Sequence, residues 1–472
     1  MRFSRAVWVV VLAGCGGGTG GASAPSPEED RPLQADFEEV YRVGGIAAEG
    51  WDAFTEIADL DFDAGGRLYI RDEAASSTRI VVVDGAGGLV AEFGRRGDGP
   101  GELRDVGHMV ARPGGGVVIV DNGHRAYLLF GPDGSFERAV RFAIRGASET
   151  AAAEAVRSAR EGETLFLTRR PDARFSNGQV SVEAGDRTIY RMSLADADEA
   201  DADEADDAAA ATPFAEGWEA QPEREVTMEA ADPSDMFAAV GDAFMGFVPD
   251  LVFDVLPGGG VAYSDSSAYA IKIQPAPGAP VRVVGRPLHP EPVTESLRER
   301  ARARMLETVE ASVTGQVNGQ SFDDLPPDLR AQVAAMVEEM TAGIRDAAAN
   351  AGFMPEVPIV RDLRTTWEGT IWVQRWGSDP LAQIEAQAAP SGGGPEGEAA
   401  AAGWIDVLSP EGEYMGTLSL EETLMPDAFG PDGLVAFVET DEFDVPTIVL
   451  KRLPATIPLE TGSPATGAGG AR

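Results

Sequence analysis

Residues 56–93 and 106–142 repeat one another, and this repeat restricts the folds open to the chain more than any other feature. The first copy runs Gly66-Arg67-Leu68-Tyr69-Ile70-Arg71-Asp72, Arg79-Ile80-Val81-Val82-Val83-Asp84, a turn ending at Gly88, and a last apolar run over 89–93. The second runs Gly116-Val117-Val118-Ile119-Val120-Asp121, then 125–130, the turn Gly131-Pro132-Asp133-Gly134, and 136–142. Gly66 and Gly116 are 50 residues apart, and Asp72 and Asp121 are 49 apart. Short apolar runs between Gly, Asp and Pro turns at this period describe the blade of a β-propeller. One such blade cannot bury its own faces. Stacking blades about an axis covers both sides of each sheet, so middle strands such as 80–83 are continuously apolar and do not alternate.

Weaker copies follow at 163–167 with 188–192, at 251–255 with 258–265 and 269–273, at 369–373 with 404–418, and at 428–437 with 447–450. The expectation is an all-β, six-bladed β-propeller with a helical insertion, spanning 34–453. The extra apolar run at 37–43 is expected to complete the last blade and close the ring.

Between the first two blades lies Phe-Gly-Arg-Arg-Gly-Asp-Gly-Pro-Gly-Glu-Leu at 93–103. This stretch resembles the Phe-Gly-x-x-Gly-x-Gly-Pro-Gly-Glu-Phe signature of bacterial six-bladed propeller lipoproteins related to NHL-repeat and TolB-like propellers, departing only at Leu103. The resemblance covers these residues and the two flanking blades, and it implies a fold.

The N-terminus has the form of an export signal. Arg2 and Arg5 precede an apolar run at 6–12, too short to span a bilayer, which takes about 20 residues. The ending Leu12-Ala13-Gly14-Cys15 resembles a lipobox, which implies a signal peptide over 1–14 and a lipid on Cys15. Cys15 is the only cysteine, so no disulfide competes for it. Gly16 in place of an inner-membrane retention aspartate favours the outer membrane of the cell envelope. Residues 15–33 read as a disordered Gly/Pro/Ser tether and 454–472 as a disordered tail. The formal net charge of −40, with Lys272 and Lys451 the only lysines, excludes a nucleic-acid partner, because phosphate binding needs clustered cations.

Three insertions interrupt the repeats. Residues 194–212 form an acidic Asp/Ala run with no glycine for a calcium loop, and a solvated loop is the expectation. Residues 292–350 carry two apolar stripes at helical spacing, 297–309 and 329–344, with Thr294 or Ser296 as the first cap and Ser296 to Glu299 fitting a capping box. They read as a helical hairpin that covers itself or a propeller face, or as an arm presenting a Met-rich stripe to a partner. Residues 379–403 read as a flexible loop inside the fifth blade.

Sites of chemistry are sparse. His108, His124 and His289 stand at no metal-ligand spacing, and no nucleophile elbow or phosphate loop occurs. Asp72, Asp121 and Asp265 end middle strands, where the expectation is that they cap turns. The turn Asn122 to Arg125 resembles one common in NHL-type blades whose arginine packs over the blade edge. Relatives of the gluconolactonase kind hold a divalent metal on the axis, which keeps open a metal-dependent hydrolase or lyase with Asp72, Asp121, Asn122 and Asp265 near it and calcium as the metal. The favoured expectation is a monomeric, non-enzymatic binding module for a protein, peptide or glycan, without a cofactor. Its candidate contacts are the inter-blade charges Arg95, Arg96, Asp98 and Glu102, and a platform of Trp367 and Trp376. Trp372, between those two, alternates toward the blade core.

Overall fold

The computed structural model describes residues 29–457, apart from 75–76, 143–152, 170–171, 177–178, 184–186, 196–210, 219–225, 230–244, 378, 382–402 and all of 316–350 except Arg345, Ala348 and Ala349. Cys15 and the signal, the body of the acidic run, the second apolar stripe, most of the fifth-blade loop and residues 458–472 lie outside the described residues.

Six four-stranded antiparallel sheets form the propeller. Blade 1 comprises Ile57–Phe62, Leu68–Ala74, Ser77–Val83 and Leu89–Phe93; blade 2 comprises Val106–Ala111, Val117–Asp121, Ala126–Phe130 and Phe136–Arg141. Blade 3 is Ala153–Ser158, Thr164–Arg169, Thr188–Ser193 and Thr212–Glu216, and blade 4 is Val252–Val255, Val261–Ser264, Ile271–Gln274 and Arg282–Val284. Blade 5 is Val360–Thr365, Ile371–Arg375, Trp404–Leu408 and Tyr414–Ser419. Blade 6 takes Ala428–Phe429, Leu434–Thr440 and Pro446–Arg452 from the end of the chain and Glu38–Gly44 from its start, paired antiparallel with Arg42 opposite Val449. The run at 37–43 therefore closes the ring as expected.

The core explains the repeat. Buried side chains fall into clusters that each join neighbouring blades: Tyr69 and Ile80 with Val117 and Ile119, Val118 and Leu129 with Leu165 and Met192, and so on round to Ile448 and Leu450 with Leu68 and Val81. Middle strands have a neighbour on both faces, and Val117–Asp121, Ala126–Phe130 and Ile371–Arg375 are buried at every position. Trp372, fully buried, packs edge-on against Phe429 of blade 6 at 5.2 Å between ring centroids, which places it in the core as its alternation predicts.

The blade 2 hairpin needs Gly134. Its φ of +79° is one that a Cβ disfavours, and a Cβ there would lie against the Phe93 ring of blade 1. Gly134→Ala is expected to lose about 1–3 kcal/mol through turn strain and overpacking, read as a fall in the urea midpoint. An unchanged midpoint would mean that Phe93 is not fixed against this turn.

Several boundaries shift. The tether does not extend to residue 33: the Leu33 amide donates to the Thr417 carbonyl and the Thr417 amide to the Arg31 carbonyl, each at 2.8 Å, so 30–33 form a strap on the edge of blade 5. The tail does not begin at 454, because Ile457 is buried beside Leu453 and Phe437. The fifth-blade loop is anchored at its start: Leu381 packs on Val293, Leu297 and Val357, and Asp379 pairs with Arg300 at 2.6 Å. Helix Glu295–Gly315 is capped by Thr294, whose hydroxyl accepts from the Leu297 amide at 3.3 Å, and Leu297 and Ala301 turn inward. Thr212 opens the outer strand of blade 3, so the acidic run sits between two strands of one blade. A three-stranded sheet absent from the repeat pattern takes Asp172–Ser176 and Gln179–Glu183 from between the second and third strands of blade 3 and Val226–Glu229 from after its outer strand.

Candidate functional site

The innermost strands surround an axial cavity of about 1040 Å³. Strand periodicity decides what lines it. In Ile57–Phe62 the side chains of Leu60 and Phe62 enter the core while Asp59 and Asp61 take the other face and line the cavity. In Val360–Thr365 the residues Val360, Leu363 and Thr365 are buried, and Asp362 and Arg364 face the axis. The register slips near the start of this innermost strand in blades 1, 2, 3 and 5, between Ile57 and Asp59, Val106 and His108, Ala153 and Ala155, and Val360 and Asp362. A bulge re-aims the side chains that follow it, and here it brings Asp59, His108 and Asp362 onto the cavity wall.

The carboxylates of this wall are held by backbone donors, often from the next blade. Asp61 accepts from its neighbour Phe62 at 2.9 Å and from Ala111 of blade 2 at 2.8 Å. Asp254 accepts from Val255 at 2.8 Å and from Thr365 of blade 5 at 2.7 Å. Asp59 accepts from the Met109 amide at 3.0 Å and pairs with Arg71 at 2.6 Å. Burial pushes Asp61 up to about 6, against the pull of Arg160, and it also raises Asp59 and Asp427. His108, which donates Nε2–H to the Ala153 carbonyl at 3.1 Å, is pushed down by burial.

Cations enter from blades 3 and 5. Arg364 pairs with Asp362 at 3.2 Å, and that carboxylate raises its pKa. Arg160 donates to the Thr365 carbonyl at 3.1 Å and lies over the Trp367 ring at 5.0 Å. Arg157 is less well compensated: its Nε stands 3.6 Å from Asp254, and burial with Arg364 beside it lowers its pKa. Leu420, Leu424, Met425 and Pro426, between blades 5 and 6, add an apolar wall, with Leu424 61% exposed.

The residues singled out from sequence lie elsewhere or act differently. Arg95, Arg96, Asp98 and Glu102 are outside the cavity lining. Arg95 binds Glu102 at 2.7 Å, Asp98 binds Arg104 at 3.0 Å, and Arg96 and Leu103 form a β-bridge. The Gly99 amide donates to Glu102 at 2.8 Å and lowers its pKa, while Leu103 is buried between blades. The signature thus closes a loop on itself, although Arg95 and Asp98 keep 81% of their side chains exposed.

Trp367 and Trp376 do not share one platform. They flank opposite ends of strand Ile371–Arg375; Trp367 donates Nε1–H to the Phe429 carbonyl at 2.8 Å, and Trp376 lies under Arg361 at 4.5 Å. Asp72, Asp121 and Asp265 cap loops: Asp72 accepts from the Thr55 and Glu56 amides, Asp121 from those of Arg104 and His124, and Asp265 from that of Trp218. Arg125, with φ of +57°, is exposed and does not pack over the blade edge. Among the described residues no three His, Cys, Asp or Glu side chains are grouped so as to hold a metal ion. Sequence reasoning missed Asp59, Asp61, Arg157, Asp254, Asp362 and Arg364. The available signal was alternation after the bulge in two innermost strands, at Asp59 and Asp61 of Ile57–Phe62 and at Asp362 and Arg364 of Val360–Thr365.

No protein-family model and no curated protein matches the sequence. Some solved structures are similar to this chain at low identity. A member of the DUF4221 family from Bacteroides vulgatus is 9% identical with a TM-score of 0.45, covering 89% of this chain and 98% of its own. Streptogramin B lyase is 9% identical with a TM-score of 0.34, over 87% of this chain and 97% of its own. Virginiamycin B lyase from Staphylococcus aureus is 8% identical with a TM-score of 0.34, over 89% and 100%.

Proposed function

We propose that this protein is a monomeric binding module of the cell envelope, anchored by lipid on Cys15, whose axial cavity takes a peptide or glycan ligand. The cavity carries the reading. Its volume of about 1040 Å³ suits a small ligand or a peptide end, and its wall sets carboxylates and guanidiniums from several blades beside an apolar stretch at 424–426, convergent polar groups of the kind that orient a bound ligand. Asp61 and Asp254 each have both oxygens occupied by backbone amides. Such carboxylates hold neighbouring blades in register and are poorly placed to shuttle protons.

The test is a thermal-shift panel of short peptides and oligosaccharides, run beside calcium and zinc. A ligand at 100 times its Kd stabilises a folded protein by about 2.7 kcal/mol, so a hit from the organic panel is expected to raise Tm by several degrees. A rise with micromolar metal, together with turnover of a lactone or of a bound ligand, would replace this reading with a metal-dependent hydrolase or lyase. The anchor has its own test. Cys15→Ser is expected to move the protein from the membrane fraction to the soluble fraction, since a stable membrane hold requires the attached acyl chains. Retention in the membrane fraction would refute lipidation at Cys15.

A further inference from the structure

We infer that Arg157 and Arg364 form the receptor for a carboxylate borne on an aliphatic chain, and that this is the chemistry of the cavity's ligand. The inference rests on the cavity being a binding site, and it replaces the glycan with an aliphatic acid beside the peptide. Arg157 extends from the innermost strand of blade 3 and Arg364 from that of blade 5, with Asp254 of blade 4 between them. Asp254 is held toward the backbone by the Val255 and Thr365 amides, which donate to its two oxygens at 2.8 and 2.7 Å. Arg157 reaches only to 3.6 Å from it, too far for a hydrogen bond. Its Nη1 donates to the Val156 carbonyl at 3.0 Å, and its Nε–H has no acceptor among the described residues.

A guanidinium 26% exposed in its side chain, with its Nε–H buried and without an acceptor and a second guanidinium on the same wall, is under-compensated. A bound anion supplies the compensation. The planar fork of arginine matches a carboxylate with two parallel N–H bonds. A dianion would bring its second charge toward Asp254 and Asp362, so the site favours a single negative charge. The opposite wall sets the rest of the ligand: Leu420, Leu424 and Met425 offer an aliphatic surface with no donor or acceptor on its side chains, which suits a hydrocarbon chain better than a sugar.

The first test needs no ligand. Arg157→Gln removes an under-compensated charge, so the free protein is expected to keep or raise its Tm. An arginine retained for structure would give a fall of several degrees, and that result would overturn the inference. The second test is calorimetric titration with decanoate and with trileucine, each beside a neutral counterpart, decanol and trileucine amide. At least one acid is expected to bind one to one, at least tenfold tighter than its counterpart, with the preference lost in Arg157→Gln. Decanoate binding alone assigns an acyl chain and trileucine alone a peptide C-terminus. Equal binding of acid and neutral form, or unchanged affinity in Arg157→Gln, refutes the carboxylate receptor while leaving the cavity a binding site. If neither acid binds, the inference fails. The broader reading fails only if the whole peptide and oligosaccharide panel also leaves Tm unmoved.

Discussion

Replacing Asp406 with alanine is expected to cost the protein about 3–5 kcal/mol of folding stability, the scale for stranding a buried charge. Asp406 is fully buried in blade 5 and accepts from the Thr417 hydroxyl at 2.6 Å. It pairs with Arg286 at 3.0 Å, whose side chain is also fully buried, and with Arg375 at 3.2 Å. Arg286 lies over the Tyr414 ring at 4.0 Å and reaches Asp30 of the N-terminal strap at 2.7 Å. Without Asp406 both guanidiniums lose a shared, fully buried carboxylate, and the carboxylate that both still reach, Asp30, is 34% exposed in its side chain. Urea unfolding should show a lower midpoint at unchanged slope. Substituting Arg286→Met and Asp406→Leu together should recover part of the loss, because an apolar pair strands no charge. A midpoint for Asp406→Ala within experimental error of wild type would mean that water reaches this cluster and the ion pairs are not desolvated.

The same cluster explains why the tether ends earlier than its composition implies. Asp30 holds Arg286 and Arg375, and those arginines lower its carboxyl pKa although burial acts the other way. Pro, Glu and Asp at 27–30 look disordered in isolation, and nothing local shows that two buried cations, 256 and 345 residues away, require the last of them. Long-range charge pairing is invisible to a local reading.

Legibility elsewhere divides along one physical line. Strands covered on both faces were readable: 80–83, 117–120 and 371–373 are continuous apolar runs because blades press on them from both sides. The innermost strands were not readable in the same way. One face of each meets the cavity, so Val-Arg-Asp-Leu-Arg-Thr at 360–365 resembles a loop and Ala-Glu-Ala-Val-Arg-Ser at 153–158 resembles a helical turn. The charged residues that line the cavity therefore sit in the segments with the weakest strand pattern. Exposed charges such as Arg95 and Asp98 drew notice because a glycine-rich motif surrounds them, and that motif shapes its own loop.

Asp61→Asn is expected to remove a pH dependence of about 2–3 kcal/mol from folding stability, each pH unit between folded and unfolded pKa values being worth about 1.4 kcal/mol. Burial raises the folded pKa from 3.8 to about 6, opposed by Arg160, Arg157 and the Ala111 and Phe62 amides. The folded protein thus holds this proton more tightly than the unfolded chain. Stability from Asp61 is fully present below about pH 4, declines as pH rises toward 6, and stays at its low value above that. Carboxylates such as Asp30 and Asp121, whose pKa values are lowered, act in the opposite sense, so only the difference between wild type and Asp61→Asn isolates the effect. Asparagine withdraws one of the two acceptors used by the Phe62 and Ala111 amides, a cost that does not vary with pH, so the change with pH carries the test. The urea midpoint of the variant should gain on that of wild type as pH rises from 4 to 8; a constant difference would place the Asp61 pKa at its ordinary value. The charges that share the cavity wall with Asp61 include Asp59 on its own strand, His108, Arg157, Arg160 and Asp427. Protonation of Asp61 below about pH 6 strips one negative charge from that wall. An anionic ligand should bind more tightly as pH falls through that range, and Asp61→Asn should lose part of that dependence, since burial raises Asp59 and Asp427 as well.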